Sequence, residues 1–319
     1  MAKTALIGAA GAIGNSIAAA ARTEGTPYRV VGRDRAHLEK SFAKDSLAEV
    51  AVWNPDDPSS VRKACNGIDL LIYLVGVAYN HFELHPVLME KTLAGAIAEG
   101  VKRVLLIGTV YPYGLPRTPR VTEEHPREPH TSKGKMRKAQ EDVLLKAHSE
   151  GKIKGVILRL PDFYGPGVER SFLHPLFEAA VTERTANLVG PIDVPHEFVY
   201  VPDAGLAALA LAEKDEAYGR WWNFAGAGAI TEREIIDQVS ALSGRKQKYR
   251  VAGKTTLRLL GLFNPFMREL VEMHYLFTSP ILMDDSALHR LLPEVHKTSY
   301  ADGIRATFDW YRANTARQG

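Results

Sequence analysis

The chain has 319 residues, 45% of them hydrophobic, which is enough to bury one large domain or a large domain with a smaller lobe. Its net charge of +3 comes from charges of both signs mixed along the chain, with no basic block standing out, so composition argues against nucleic acid or a membrane surface as partner. The one cysteine, Cys65, excludes an intrachain disulfide and has no adjacent histidine to activate it, so it reads as a half-buried helix residue.

Residues 1–3 lead at once into a strand-like run, so no signal peptide is expected. Residues 4–8 read as a strand, 13–24 as a helix with small residues on one side, 28–32 as a second strand and 48–53 as a third. A helix follows at 58–66, then a fully apolar strand at 69–76, a helix at 86–99 and a fifth strand at 104–108. Continuous apolar strands alternating with helices imply a parallel sheet covered on both faces, and right-handed crossovers make it doubly wound. Residues 111–130 form a long loop rich in proline and charge, expected to be a lid or wall. A helix at 133–149 and a strand at 154–160 come next. From Pro161 the pattern is less regular, and residues 166–195 and 215–300 look like a smaller lobe laid over the sheet. The stretch 259–267 is apolar but far too short to span a bilayer, and Asn264 and Pro265 interrupt it, so no membrane span and a cytoplasmic location are expected. The last helix, 302–316, is amphipathic with Ile304, Phe308 and Tyr311 on one face.

The first strand runs into Gly8-Ala9-Ala10-Gly11-Ala12-Ile13-Gly14. Gly8 allows a tight turn, Gly11 lets backbone approach a pyrophosphate, and Gly14 permits close helix–strand packing. The helix that opens there presents free N–H groups and the positive end of its dipole to phosphates. The candidate dinucleotide contacts from this loop are Gly8, Ala10, Gly11, Ala12, Ile13 and Gly14. At the end of the second strand, where an acidic residue would bind the 2′-hydroxyl of NAD, the chain reads Gly32-Arg33-Asp34. Arg33 can pair with a 2′-phosphate, so NADP is favoured over NAD, with Asp34 keeping NAD open.

These features, together with several later segments, resemble the extended short-chain dehydrogenase/reductase family, the NAD-dependent epimerase/dehydratase group. The segments are 54–58 (Asn-Pro-Asp-Asp-Pro), Leu74-Val75-Gly76, 101–104, the stretch 158–167 (Leu-Arg-Leu-Pro-Asp-Phe-Tyr-Gly-Pro-Gly), 198–204 and 222–226 followed by Thr231-Glu232. The resemblance covers almost the whole chain. It implies a Rossmann-type fold with a smaller C-terminal substrate-binding lobe: a dinucleotide domain at 1–165 with its sheet completed by 196–225, a lobe from 166–195 and 226–300, and a C-terminal helix at 301–319. It adds Asn54, Leu74, Val75, Gly76, Pro161 and Phe163 to the cofactor contacts. It implies a carbonyl or hydroxyl substrate, such as a sugar nucleotide, and a homodimer through helices 86–99 and 133–149.

One departure bears on the chemistry. The family's Ser/Thr falls on Thr109, but its Tyr-x-x-x-Lys pair falls on Lys133 and Arg137, with Glu141 following. Arg137 can still anchor a ribose. Lys133 can serve as an acid only if burial or a neighbouring cation lowers its pKa. Tyr111, on the same side of an extended segment as Thr109, is a second source of the proton. Tyr113 reads as a packing residue. Asp162, Tyr164 and His196 are the candidate substrate contacts. His81, His85, His125 and His130 read as solvated loop residues without metal-ligand spacing, so no metal is expected. Asp284 and Asp285 read as a helix N-cap, and Arg117, Arg120 and Arg127 as either anion contacts or solvated loop charges. Two functions follow: an NADP-dependent oxidoreductase or epimerase with an unusual proton donor, and a non-catalytic dinucleotide sensor that binds partners. A lyase or isomerase using its cofactor transiently is a weaker third.

Overall fold

The computed structural model describes residues 4–315, so the expectations for residues 1–3 and 316–319 lie outside the described residues. The first half alternates strand and helix: β1 (Thr4–Ile7), α1 (Ala12–Thr23), β2 (Tyr28–Gly32), α2 (Arg35–Phe42), β3 (Ala48–Val52), α3 (Pro58–Cys65), β4 (Leu70–Tyr73), α4 (Leu84–Ala98), β5 (Arg103–Thr109), α5 (Ser132–Ser149) and β6 (Lys154–Leu160). Then come β7 (Asp162–Tyr164), α6 (His174–Thr182), β8 (Ala186–Val189), β9 (Phe198–Tyr200), α7 (Val201–Ala212), β10 (Trp221–Asn223), α8 (Glu232–Ser243) and β11 (Tyr249–Ala252). Five helices close the chain: α9 (Lys254–Leu260), α10 (Pro265–Met273), α11 (Tyr275–Thr278), α12 (Ser286–Leu291) and α13 (Tyr300–Thr315).

Seven strands form one sheet in the order β10-β6-β5-β4-β1-β2-β3, every neighbouring pair parallel. The order reverses between β1 and β4, which opens a crevice at the carboxyl ends of the strands, the ligand position of such sheets. This is the Rossmann-type α/β fold. Alternate residues of each strand feed opposite faces. Leu6, Val30, Ile72 and Leu105 pack on one face with Ile17, Ala18 and Ala21 of α1 and Ala204, Ala207 and Ala208 of α7. Ile7, Val31, Leu71, Tyr73 and Leu106 pack on the other with Val61, Met89, Leu93 and Leu144 from α3, α4 and α5. β7 pairs with β9, and β8 with β11, in two small parallel sheets. Among the described residues no helix is long and apolar enough to cross a membrane.

Local chemistry explains several helix starts. Asp57 accepts from the Ser59 N–H ahead of Pro58, Thr131 accepts from the Gly134 N–H, and Thr231 and Glu234 form a reciprocal capping box. Helix α2 carries no periodic signal in the sequence: its eight residues bury only Leu38 and Phe42, too few to mark a period, and what starts it is the Asp34 carboxylate accepting from the His37 N–H at 3.2 Å. Asp284, not Asp285, accepts from the N–H at the start of α12; the Asp285 carboxylate accepts from Ala225 N–H and pairs with Lys297.

The 111–130 loop is a wall rather than a lid. It opens with a short 3₁₀ turn, Tyr111–Tyr113, and Val121 bridges to Met283 with hydrogen bonds on both sides. Two of the four histidines expected to be solvated are buried: His85 on α4, and His125, whose Nε2 accepts from the Arg117 N–H at 3.0 Å. The three loop arginines are all spent on internal carboxylates, Arg117 on Glu128, Arg120 on Glu197 and Arg127 on Glu141 and Asp142. Cys65 is fully buried at the end of α3, and burial pushes its thiol up to about 11, so it is inert.

Candidate active site

The glycine loop sits at the reversal point of the sheet. Gly8 has φ +89°, and a Cβ there would lie 2.8 Å from the Leu74 carbonyl carbon, so this turn closes on the end of β4 only without a side chain. A Cβ on Gly14 would overlap the Ala9 carbonyl, which makes Gly14 the contact between α1 and the loop. Gly11 differs: a Cβ there meets nothing closer than Gly8 O at 4.0 Å, so the space beside it is open. Gly11 is also the N-cap of α1 and supplies no side chain, so no side-chain oxygen occupies the N–H groups of the first turn at Ala12 and Ile13. A backbone cradle open to a phosphate is what a pyrophosphate requires. The Leu74 N–H donates to Ile7 O at 2.8 Å, which holds Leu74, Val75 and Gly76 beside the loop.

Arg33 stands exposed at the end of β2 and has no ion-pair partner among the described residues. Its neighbour Asp34 is committed to capping α2. Asn54 uses its Oδ1 to accept from the Asp56 N–H at 3.0 Å, forming the turn before α3.

A cleft at the ends of β5 and β6 brings Thr109, Tyr111, Pro161, Asp162, Phe163 and His196 together, roofed by Leu276, Pro280 and Ile281. Tyr111 and Tyr79 share a hydrogen bond between their hydroxyls at 3.0 Å. Burial pushes both phenols up, Tyr79 to about 12, so both stay protonated as donors. Asp162 has no side-chain hydrogen bond to any described residue, and burial raises its carboxyl to about 7. Glu232, at the start of α8, is buried with its Oε2 unpartnered, and burial, then the charge of Asp162, raises it to about 8. The imidazole of His196 lies between the carbonyls of Val194 (2.8 Å) and Leu276 (3.0 Å), so backbone occupies both ring nitrogens.

Three predicted site residues lie apart from this cleft. Lys133 is buried, and its ammonium donates to Glu269 and, at 2.8 Å, to Glu272, both on α10. Its ammonium is tied into two ion pairs and does not line the cleft. Arg137 is buried too: Nη1 donates to Gln140 Oε1 at 2.7 Å and lies 3.3 Å from His85 Nδ1, and Nη2 donates to Ile107 O at 3.0 Å. Burial, then the Arg137 charge, hold His85 down at about 2, so His85 is neutral and accepts. Tyr164 is 1% exposed in the core under α13, where it stacks with Tyr300.

Below the cleft runs a buried charge network. Glu141 on α5 accepts from Arg159 Nε at 2.9 Å, from Arg159 Nη2 and from Arg127 Nη2 at 2.8 Å, while the Arg159 guanidinium stacks on Tyr113 and Trp221. Arg159 lies three residues before Asp162, so this network fixes the end of β6 against α5. Sequence reading missed Tyr79, Glu232 and the α10 carboxylates. Tyr79 has a signal, since it follows the strand that passes the glycine loop. Glu269 and Glu272 have none, because they meet Lys133 from more than a hundred residues away.

The model of the NAD dependent epimerase/dehydratase family matches residues 5–225. A dTDP-6-deoxy-L-talose 4-dehydrogenase (NAD(P)(+)) from Kitasatospora kifunensis is 25% identical over 256 residues, covering 76% of this chain and 80% of that protein. The solved dTDP-glucose 4,6-dehydratase DesIV from Streptomyces venezuelae, with NAD bound, superposes with a TM-score of 0.82 at 19% identity, over 99% of this chain and 98% of that one. The UDP-glucuronic acid 4-epimerase from Bacillus cereus, in complex with UDP-glucuronic acid and NAD, gives 0.81 at 19% identity, over 98% and 99%. With the family model covering well over half the chain on top of this sheet and glycine loop, the protein belongs to the NAD-dependent epimerase/dehydratase family.

Proposed function

We propose that this chain is an NADP-preferring oxidoreductase or epimerase acting on a carbonyl or hydroxyl of a small molecule, with Asp162 handling the proton that a tyrosine handles elsewhere in the family. The observation that carries this reading is Asp162 itself: a carboxyl in the cleft beside Thr109 and Tyr111, with no side-chain hydrogen bond to any described residue, and with its acidity moved by burial to about 7. A general acid or base works best when its pKa lies near the working pH. A sugar-nucleotide substrate fits the activities of the relatives.

Gly8, Ala10, Gly11, Ala12, Ile13 and Gly14 would hold the pyrophosphate, Arg33 the 2′-phosphate, and Asn54, Leu74, Val75, Gly76, Pro161 and Phe163 the rest of the cofactor. When bound, the nicotinamide supplies or accepts a hydride at the substrate carbon. Thr109 Oγ and the Tyr111 hydroxyl hydrogen-bond the substrate oxygen, and Tyr79 orients Tyr111 through the 3.0 Å contact. Asp162 gives its proton to that oxygen in reduction and takes it back in oxidation. Lys133 and Arg137 are positioning residues in this reading. Lys133 ties α5 to α10, and Arg137 ties α5 to the end of β5, which holds Thr109 in place. The exposed side of α4, with Leu84 and Val87, serves as the homodimer surface together with α5.

The competing reading, a non-catalytic dinucleotide sensor, is favoured by the locking of Lys133 into an ion pair where an acid would stand. One experiment separates the two. NADPH and NADH binding is measured by fluorescence, and turnover is followed against a panel of UDP- and dTDP-sugars and simple ketones, for the wild type and Asp162→Asn. The proposal expects turnover that Asp162→Asn lowers by a factor of roughly 10² or more with dinucleotide affinity unchanged. Tight dinucleotide binding without turnover on any substrate overturns it in favour of the sensor.

A further inference from the structure

The mixture of charges over the whole chain conceals a local bias. From Gln238 to Arg268 the sequence carries seven cations (Arg245, Lys246, Lys248, Arg250, Lys254, Arg258 and Arg268) and no Asp or Glu. The expectation that no basic block stands out is therefore corrected for this stretch.

The structure gathers the end of this stretch into a helical hairpin. Helices α9 and α10 pack against each other, and Gly261 lies so close to Arg268 that a Cβ would approach its Cα to 3.0 Å. Asn264 caps α10 by accepting from the Phe266 N–H at 2.9 Å, and Pro265 starts the helix, so the turn is tight and fixed. At its apex Leu262 is 75% and Phe263 90% exposed; Leu259 at 62%, Phe266 at 50% and Leu260 at 46% flank them. Five large apolar side chains exposed within eight residues are not the scattered apolar residues of an ordinary surface. Lys254, Arg258 and Arg268 stand exposed around them, and none makes an ion pair with a described residue.

We propose that the α9–α10 hairpin docks on an anionic phospholipid bilayer, with Leu262 and Phe263 entering the headgroup region and Lys254, Arg258 and Arg268 facing the lipid phosphates. The argument is charge complementarity joined to shape. An apolar apex ringed by uncompensated cations matches an interface that is apolar below and negative above. A nucleic acid would satisfy the cations and leave the Leu262–Phe263 apex in water.

The hairpin is coupled to the cleft. On α10, Glu269 and Glu272 hold Lys133, the Phe266 ring lies edge-on to Tyr79 at 5.8 Å, and Tyr79 bonds Tyr111; Leu276, just beyond α10, roofs the cleft. Docking would therefore set the cleft at the membrane surface. This inference stands on the hairpin alone and does not depend on the reaction proposed above.

The test is flotation of the full chain with vesicles of phosphatidylcholine alone and of phosphatidylcholine mixed with phosphatidylglycerol, at low and high salt. The expected result is binding only to the anionic vesicles, released by salt. Lys254→Gln with Arg258→Gln should weaken partition roughly thirtyfold. Leu262→Ser with Phe263→Ser should weaken it roughly tenfold per residue, with the thermal midpoint unchanged because both side chains lie in solvent. Failure to float with either vesicle overturns the proposal, as does equal binding to both that neither variant changes. A dimer in sedimentation that Leu262→Ser with Phe263→Ser converts to monomer, without vesicle binding, assigns the hairpin to a second copy of the chain and also overturns it.

Discussion

Glu141→Gln tests how firmly the floor of the cleft depends on its buried charges. Glu141 is 1% and Arg159 0% exposed, and Glu141 is the only carboxylate among the described residues that pairs with Arg159. Burial works against the Arg159 charge, and Glu141 more than offsets it, so the guanidinium pKa is raised overall. Glutamine keeps the shape and removes the charge. One arginine is then left buried without a counter-ion; Arg127 keeps Asp142 at 2.7 Å. Removing one member of a buried pair costs about 3–5 kcal/mol. Unfolding entropy near the midpoint is about 2.1 cal/mol/K per residue. For 319 residues that is about 0.67 kcal/mol/K, so the midpoint should fall by about 4–8 °C in calorimetry. Glu141→Leu combined with Arg159→Met should recover most of the loss, because no uncompensated charge remains. A fall of less than about 1 °C for Glu141→Gln would refute the reasoning, since it would mean that Arg159 reaches water.

The remaining predictions concern the site. In the direction that consumes a proton, the rate should be flat in acid and fall as pH rises through about 7, where Asp162 loses its proton; a pH–rate profile unchanged in Asp162→Asn would remove Asp162 from the chemistry. Arg33→Ser should weaken NADPH binding about 10- to 100-fold, from the loss of hydrogen bonds to a charged group, and leave NADH binding nearly unchanged; equal loss for both cofactors would show that Arg33 does not read the 2′-phosphate. Glu232 has a folded pKa raised to about 8 from 4.5, so the folded state holds the proton more tightly than the unfolded chain. Its contribution is complete below about pH 4.5 and is lost as pH rises through about 8. Relative to wild type, Glu232→Gln should gain stability across that window, by up to roughly 5 kcal/mol, in denaturant titrations at each pH. A stability difference independent of pH would contradict the buried, unpartnered carboxyl.

Some of this was legible in one dimension because its causes are local. Gly8, Gly11 and Gly14 announce a turn, an approach and a packing contact through their missing side chains; the structure turns at Gly8, packs α1 against Ala9 of the loop at Gly14 and leaves the space beside Gly11 open. Apolar runs such as Leu70–Tyr73 mark strands covered on both faces, and parallel neighbours follow from the helices between them. The short helix Arg35–Phe42 escaped because two buried residues make no period. The bias from Gln238 to Arg268 is present in the sequence, but acidic residues elsewhere balance it in the net charge of +3.

Other features did not exist until the chain closed on itself. Lys133 reads as an ammonium in the place of an acid, and its partners Glu269 and Glu272 come from α10, more than a hundred residues away. Asp162 reads as a substrate contact or a turn carboxylate; burial in the cleft under Leu276, Pro280 and Ile281 raises its carboxyl to about 7. Backbone conformation and hydrophobic period are set by neighbours in sequence, so the sequence alone determined the sheet and the dinucleotide loop. The ionisation of a side chain depends on desolvation and on charges a few ångströms away in space, so only the tertiary structure set the raised carboxyls of Asp162 and Glu232.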